Sequence, residues 1–429
     1  MDRFSLDGSG PDEASGISRK KAWFAFFMLF LLMLSDYIDR QIIVSLFPHI
    51  KEEWEVSDKQ LGALVSIISI VVALGSLPVA LLADRYGRVK SVVLMASIWS
   101  FATIACMFTR NYSQLFAARA VVGLGETGYG SVGAALVNAL FPKRLHSTLL
   151  GAFFAAGSLG SVLGVVLGGV ISDHWGWRAA FGVVGVPGLL IAILFALVPD
   201  YKTKPLELAA RTGTEVARGP LRLYRMLTSG PTLLWASLAG SLQLIVMSSI
   251  WAWTPSYFNR YYGMDVTAAA KHAAAAVLCG AIGAVLWSFV ADRVSRRHAV
   301  NKLYLMCVLT LLTCAVFGYA FLAPLDANAR FIGILLGSLL MSCAVGAVTS
   351  TVLDVTHPAL RSTGGAVLAL FQNLFGLAIG PFVGGWISDL WGLSTALSVM
   401  PCMSVLSALC FWMASRTYLR DMQAVASRS

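Results

Sequence analysis

Apolar residues in this chain gather into long runs, and the polar residues collect between them. A helix that crosses a bilayer needs about 20 predominantly apolar residues. Runs of that length, broken at Gly, Pro and charge clusters, predict twelve spans. They fall at 22–47, 60–82, 90–108, 114–141, 148–172, 179–198, 231–257, 270–290, 302–323, 331–353, 363–388 and 394–415. The longest polar gap, between spans six and seven, holds Lys202, Lys204, Arg211, Arg218, Arg222 and Arg225. The pattern therefore predicts a tail at 1–21, a six-helix bundle at 22–199, a linker at 200–230, a second bundle at 231–415 and a tail at 416–429.

Composition narrows the class. Of 429 residues 57% are hydrophobic and 13% charged, and mean hydropathy is +0.74; soluble proteins carry about 25% charged residues. A multi-pass, all-α membrane protein is expected. The seven Cys all lie in apolar runs, as small packing residues rather than a disulfide framework or metal site. The six His sit at or near loop ends, far apart in sequence, so neither a metal nor an enzyme is expected. The first twenty residues have no apolar core, and no cleavable signal peptide is expected. If odd spans run outward, 23 of the 32 Lys and Arg lie on the cytoplasmic side and seven outside. That asymmetry predicts both termini inside, in a plasma membrane of bacterial inner-membrane type. It also accounts for the net charge of +10 without nucleic-acid binding.

The two halves echo each other. Residues 168–176 read GGVISDHWG and residues 384–392 read GGWISDLWG, identical at seven of nine positions with an offset of 216. Ala83, Asp84, Arg85 and Arg88 likewise match Ala291, Asp292, Arg293 and Arg296. Repeats at corresponding places in two halves mark transporters whose bundles rock against each other.

The stretch LLADRYGRVK resembles the loop between helices two and three of the major facilitator superfamily, through Leu82, Ala83, Asp84, Arg85, Gly87 and Arg88. Ala80 stands where that family has its leading Gly, and Val89 and Lys90 where it ends on a basic residue. Arg119, Gly123 and Gly125 match its fourth helix. A narrower resemblance is to the Spinster lipid transporters, carried by Tyr37, Asp39 and Arg40 and by Arg119, Gly123, Gly125, Glu126 and Tyr129. Thr127 and Gly128 replace the Ala-Ser that usually follows the Glu in the animal members. The resemblance implies twelve helices in two pseudo-symmetric bundles, with the helix-one Asp and helix-four Glu as proton sites and the Arg residues as their partners.

Five ionisable residues lie deep in the spans, all in the first half: Asp36, Asp39, Arg40, Arg119 and Glu126. Each costs at least ~2.5 kcal/mol near a bilayer centre. Asp39 is about 12 Å from the outer end of span one and Arg119 roughly 8 Å from that of span four, so the two are level and able to pair. Asp36 shares a face with Asp39 and Arg40, and Glu126 lies about 10 Å beyond Arg119 on nearly the same face. A structural ion-pair lock is one reading. Buried pairs stabilise poorly, because desolvation offsets their attraction. Proton coupling, with an Arg exchanging between Asp39 and Glu126, is the favoured reading.

Asp84, Arg85, Gly87 and Arg88 are expected either as topogenic charge or as a cytoplasmic gate, with Asp84 facing the start of span eleven near Ser362, Thr363 and Gly364. Gly160, Gly164 and Gly168 form a stripe on span five, flanked by Gly157 and Gly169, and Gly376, Gly380, Gly384 and Gly385 answer on span eleven. Such stripes serve close packing or a sliding interface. Candidate substrate contacts are Tyr37, Tyr129, Gln243, Met247, Trp251, Phe371, Gln372 and Asn373, with Ser248, Trp253 and Tyr257 beside them on span seven. An apolar wall with a few amides suits an amphipathic molecule, although span-seven aromatics also fit an interfacial belt. The expectation is a monomeric proton-coupled transporter of lysophospholipid or a similar lipid, among membrane lipids, powered by the proton gradient without a cofactor. The alternative is a carrier of small organic anions or drugs.

Overall fold

A computed structural model describes residues 19–198, 230–357 and 361–426 of the chain, with side chains throughout except at 19, 77, 80–86, 88, 143, 144, 147, 361–363 and 426. The expected linker at 200–230 and most of the first tail lie outside the described residues. The spans are Arg19–Trp54, Asp58–Tyr86, Arg88–Cys106, Tyr112–Glu126 with Tyr129–Leu140, Lys143–Trp175 and Trp177–Phe195 in the first half. In the second half they are Pro231–Tyr262, Val266–Ser295, Asn301–Leu322, Ala327–Met341 with Ala344–Asp354, Arg361–Trp391, and Leu393–Ala426. Eleven of these are long and apolar enough to cross a membrane. The fourth is the exception. It is cut in two and carries Arg119 and Glu126, yet it completes the bundle. The face where span one begins and span twelve ends is called proximal below, and its opposite distal.

Two elements outrun their apolar patterns. Span one continues from 47 to Trp54, where Glu53 accepts bonds from Trp177 Nε1 (2.7 Å) and from Arg178 Nη1 and Nη2 (2.8 and 2.7 Å). Span twelve continues through the expected tail to Ala426. There Asp421 Oδ2 accepts the backbone N–H of Thr232 in the first turn of span seven (3.0 Å), and the Tyr418 hydroxyl donates to Asp354 (2.7 Å). Polar anchors set both ends together with apolar burial, since Ile50 and Tyr418 lie in the core.

Within each half one close contact dominates, and glycine makes it. A Cβ on Gly164 would lie 2.6 Å from the carbonyl oxygen of Ile38, and one on Gly168 2.6 Å from that of Ile42. Span one thus lies backbone to backbone on span five. Between spans eleven and seven, Gly376 and Gly384 lie against the side chains of Leu244 and Ser249, and Gly380 against the Ser248 hydroxyl and the Ile245 carbonyl. The glycine stripes are packing surfaces inside the halves, except that Gly169 and Gly385 face the opposite half. The halves meet at the distal face, where Phe47 of span one and Trp253 of span seven bring ring centroids to 5.2 Å.

Three spans are broken. Span four stops at Glu126, and Gly128 takes a left-handed φ of +79° before the helix resumes. Span ten is interrupted at Ser342 and Cys343, and Ser342 lies 216 residues from Glu126, the offset of the nine-residue repeat. Span eleven contains a π-helical turn at Gln372–Leu377, a form that concentrates at functional sites. In hydrocarbon, carbonyls freed by a break need partners. Gln243 Nε2 donates to the Met341 oxygen (3.1 Å) and Trp287 Nε1 to that of Leu339 (2.9 Å). Gly128→Ala should destabilise the protein by roughly 1–2 kcal/mol, the cost of a left-handed L-residue. A melting curve in detergent against wild type checks this.

Candidate functional site: the charges of spans one and four

Span one carries Asp36, Asp39 and Arg40 within two turns, and span four brings Arg119 and Glu126 to meet them. Arg119 Nη1 donates to Asp39 Oδ1 (3.2 Å) and, at 3.4 Å, to the Asp39 backbone oxygen. The Thr103 hydroxyl from span three donates to the other carboxylate oxygen. Arg119 and Asp39 are 0% and 1% exposed, so this pair is sealed. Arg119 Nε and Nη2 have no hydrogen-bond partner.

The second cluster differs. Arg40 reaches Asp36 Oδ1 through Nε at 3.2 Å and Glu126 Oε2 through Nη2 at 3.0 Å. Its guanidinium carbon lies 5.5 Å from the centre of the Tyr37 ring. Its side chain keeps 19% of its surface exposed, while that of Glu126 has none. Glu126 is the last residue of its helical segment, where the negative end of the helix dipole opposes a carboxylate, so Arg40 carries most of the compensation. The expected single column is therefore two clusters: a sealed Asp39–Arg119–Thr103 set and an Asp36–Arg40–Glu126 set exposed only at Arg40. Glu126 faces Arg40, not Arg119.

The candidate substrate residues divide. Tyr37, Met247, Trp251, Phe371, Gln372 and Asn373 are half-buried. Tyr129 departs from expectation: it is 0% exposed, donates to the Leu29 carbonyl at 2.7 Å and packs between Trp99 and Phe153 in the first-half core. Gln243 is 2% exposed and spends its NH2 on the break in span ten, leaving Oε1 without a partner. Trp253 and Tyr257 are fully buried, the first donating to the Pro381 carbonyl (3.1 Å), the second stacked on Tyr261. They form core, not an interfacial belt. Asp84, Arg85, Arg88, Ser362 and Thr363 have side chains outside the described ones. Gly87 makes the turn between spans two and three at φ 99°. Sequence reading missed Thr103, and also Asp58, Arg260 and Asp389 at the distal face, because they lie at helix ends where charge is ordinary. Among the described residues no group of three or more His, Cys, Asp or Glu is placed to hold a metal.

The architecture, the repeat and the charge clusters agree with a family model, that of the Major Facilitator Superfamily, which matches residues 29–378. The chain belongs to the major facilitator superfamily. It is 26% identical over 423 residues to an MFS-type efflux pump of Mycolicibacterium smegmatis, covering 96% of each chain. It is 25% identical over 400 residues to Protein spinster of Drosophila melanogaster, covering 88% of this chain and 64% of that one. Its fold superposes with a TM-score of 0.84 on a bacterial homologue of the human lysosomal transporter Spinster, solved in an inward-facing and unoccupied conformation. Identity there is 22%, covering 94% of this chain and 99% of the other. The chain is thus a multi-pass integral membrane protein of this superfamily, similar to Spinster proteins and to an efflux pump.

Arg40 bridges two buried carboxylates with two different nitrogens. Arg40→Gln, which leaves both uncompensated, should destabilise by about 3–5 kcal/mol. Arg40→Lys, a point charge without the fork, should fall between it and wild type. Thermal unfolding of the three purified proteins ranks them.

Proposed function

We propose that this transporter is proton-coupled and moves lysophospholipid or a similar amphipathic lipid by alternating access, with the proximal face cytoplasmic in a bacterial inner membrane. One observation carries the coupling: Glu126, buried at a helix break, is held by an arginine that is itself partly exposed and already shared with Asp36. Protonation of Glu126 removes one of Arg40's two partners and leaves it to Asp36. The favoured protonation state of Glu126 then depends on where Arg40 sits, and a shift of span one against span four within the first half alters that distance. Arg40 takes the exchanging role expected of an arginine between two acids, with Asp36 in place of Asp39 as its second partner. Asp39 and Arg119 form the second, sealed site, reached when spans one and four part.

The half-buried set of Tyr37, Met247, Trp251 and Phe371, with the amides of Gln372 and Asn373, supports an amphipathic substrate: apolar surface for a chain, few polar groups for a head. The Spinster likeness supports the same class. Asp84, Arg85, Gly87 and Arg88 are proposed as the gate at the cytoplasmic face. The second reading, export of small organic anions or drugs with Arg40 holding the anion, is favoured by the efflux-pump relative that covers 96% of both chains. A substrate panel in proteoliposomes with an imposed pH gradient separates them. Gradient-driven movement of labelled lysolipid, not displaced by organic anions, supports the first reading; the reverse supports the second.

Asp39→Asn, which leaves the buried Arg119 without its charge partner, should lower the melting temperature and lose gradient-driven accumulation, because an amide does not change charge. Equal accumulation in mutant and wild type removes Asp39 from the coupling. Glu126→Gln should fix the protonated arrangement, with Arg40 on Asp36, and flatten the pH dependence of the conformational balance. Spin-label distances against pH, measured beside a melting temperature, check it. A lower melting temperature with an intact pH response assigns Glu126 a purely structural role.

A further inference from the structure

The nine-residue repeat, at 168–176 and 384–392, ends spans five and eleven at the distal face. The charge clusters make no use of it, yet its shared positions make the same contacts twice. The first glycine faces a neighbour in its own half: Gly168 lies on Ile42 of span one, and Gly384 on Ser249 and Trp253 of span seven. The second glycine faces the other half. A Cβ on Gly169 would lie 2.5 Å from Ala270 Cβ and 3.1 Å from the Val266 carbonyl oxygen, at the start of span eight. A Cβ on Gly385 would run into the Asp58 carbonyl, at the start of span two.

Four residues on, and so on the same helix face, comes the aspartate. Asp173 Oδ2 accepts the backbone N–H of Thr267 at 2.9 Å. Asp389 accepts those of Asp58 and Lys59 at 2.7 and 2.8 Å. Thr267 and Lys59 are each the second residue of their helices. N–H groups there have no partner within their own helix and carry its positive end, so a carboxylate from the opposite half satisfies both needs. The last glycine, Gly176 or Gly392, turns the chain at φ +78° or +85° immediately afterwards.

The two contacts are unequal. On the span two–eleven side, Asp58 is 2% exposed. Its carboxylate accepts from Arg260 Nη1 and Nη2 (2.6 and 2.8 Å), at the end of span seven, and from Lys51 and Ser388. On the span five–eight side, Val266 opens the helix and offers no carboxylate, and Ser172, the counterpart of Ser388, turns back to the Gly169 carbonyl (3.0 Å).

We propose that the repeat is the distal gate. It forms two pseudo-symmetric clasps in which the aspartates of spans five and eleven cap the helix starts of spans eight and two across the interface. The span two–eleven clasp, reinforced by Asp58 and Arg260, is the one whose release limits opening. The construction suits a reversible contact. Glycine leaves no interlocking side chain to withdraw, and once the face opens water takes up both the N–H groups and the carboxylate, so breaking the bonds leaves no polar group unsatisfied.

Asp389 and Asp173 are both exposed, so truncating either spares the core. Full-length protein in nanodiscs, spin-labelled in pairs across the distal ends of spans two and eleven and of spans five and eight, gives the open-to-closed ratio directly. Asp389→Ala should raise that ratio at the distal face about tenfold or more, the size expected for hydrogen bonds to a charged group. Asp173→Ala should raise it less, and Asp389→Glu should restore most of the closed population. Gly385→Ala should prevent closure on the span two–eleven side. Wild-type distance distributions in Asp389→Ala and Gly385→Ala, with normal melting temperatures, would overturn the gate. A larger opening in Asp173→Ala than in Asp389→Ala would overturn the ranking of the clasps. If Asp389→Ala fails to fold, Asp389→Asn, which keeps one acceptor and loses the charge, carries the same comparison.

Discussion

Span one is tied to span four by charge that neither could hold alone in a bilayer. Asp39 without Arg119, or Glu126 without Arg40, would be an isolated ion in a medium that penalises it by several kcal/mol. The two helices are therefore held in register at both levels for as long as the acids are ionised. Span five fixes span one from the opposite side through glycine, which leaves little freedom to slide. The break at Thr127 and Gly128 follows from the same arrangement: it ends the segment at Glu126, beside Arg40, and lets the next segment take its own direction.

The second half repeats the frame without the ions. Span ten is interrupted at the position equivalent to Glu126, and Ser342 stands there. The freed carbonyls are taken by Gln243 and Trp287 instead of being left to an ionic partner. One bundle thus holds ion pairs at its break and the other neutral hydrogen bonds, on nearly the same backbone plan.

Much of this was legible in the chain because lipid is an undemanding reader of sequence: a run of twenty apolar residues has few alternatives to a spanning helix. The pairing of Asp39 with Arg119 followed from rise per residue alone, since both positions could be measured from a span end. The division of the charges into two clusters did not follow. Arg40 and Arg119 are equally plausible partners for Glu126 by depth, and only side-chain direction separates them. Tyr129 was misplaced for a related reason: periodicity puts it near Glu126, but the left-handed turn at Gly128 rotates it into the core between Trp99 and Phe153. Asp58, Asp389 and Arg260 gave no signal, because an acid or base at a helix end is unremarkable until its neighbour across the interface is known.

The second glycine of the repeat is pressed by the start of a helix in the other half. A larger residue at 169 or 385 would have to be matched by a retreat of a backbone encoded roughly a hundred residues or more away in the chain, in a different bundle. Drift at such a position needs two coordinated changes, whereas the lipid-facing residues around it need only one. If the halves descend from one duplicated segment, this is where their common text should fade last. The seven shared letters are what would remain when two copies have diverged in chemistry but are still required to meet each other in the same way.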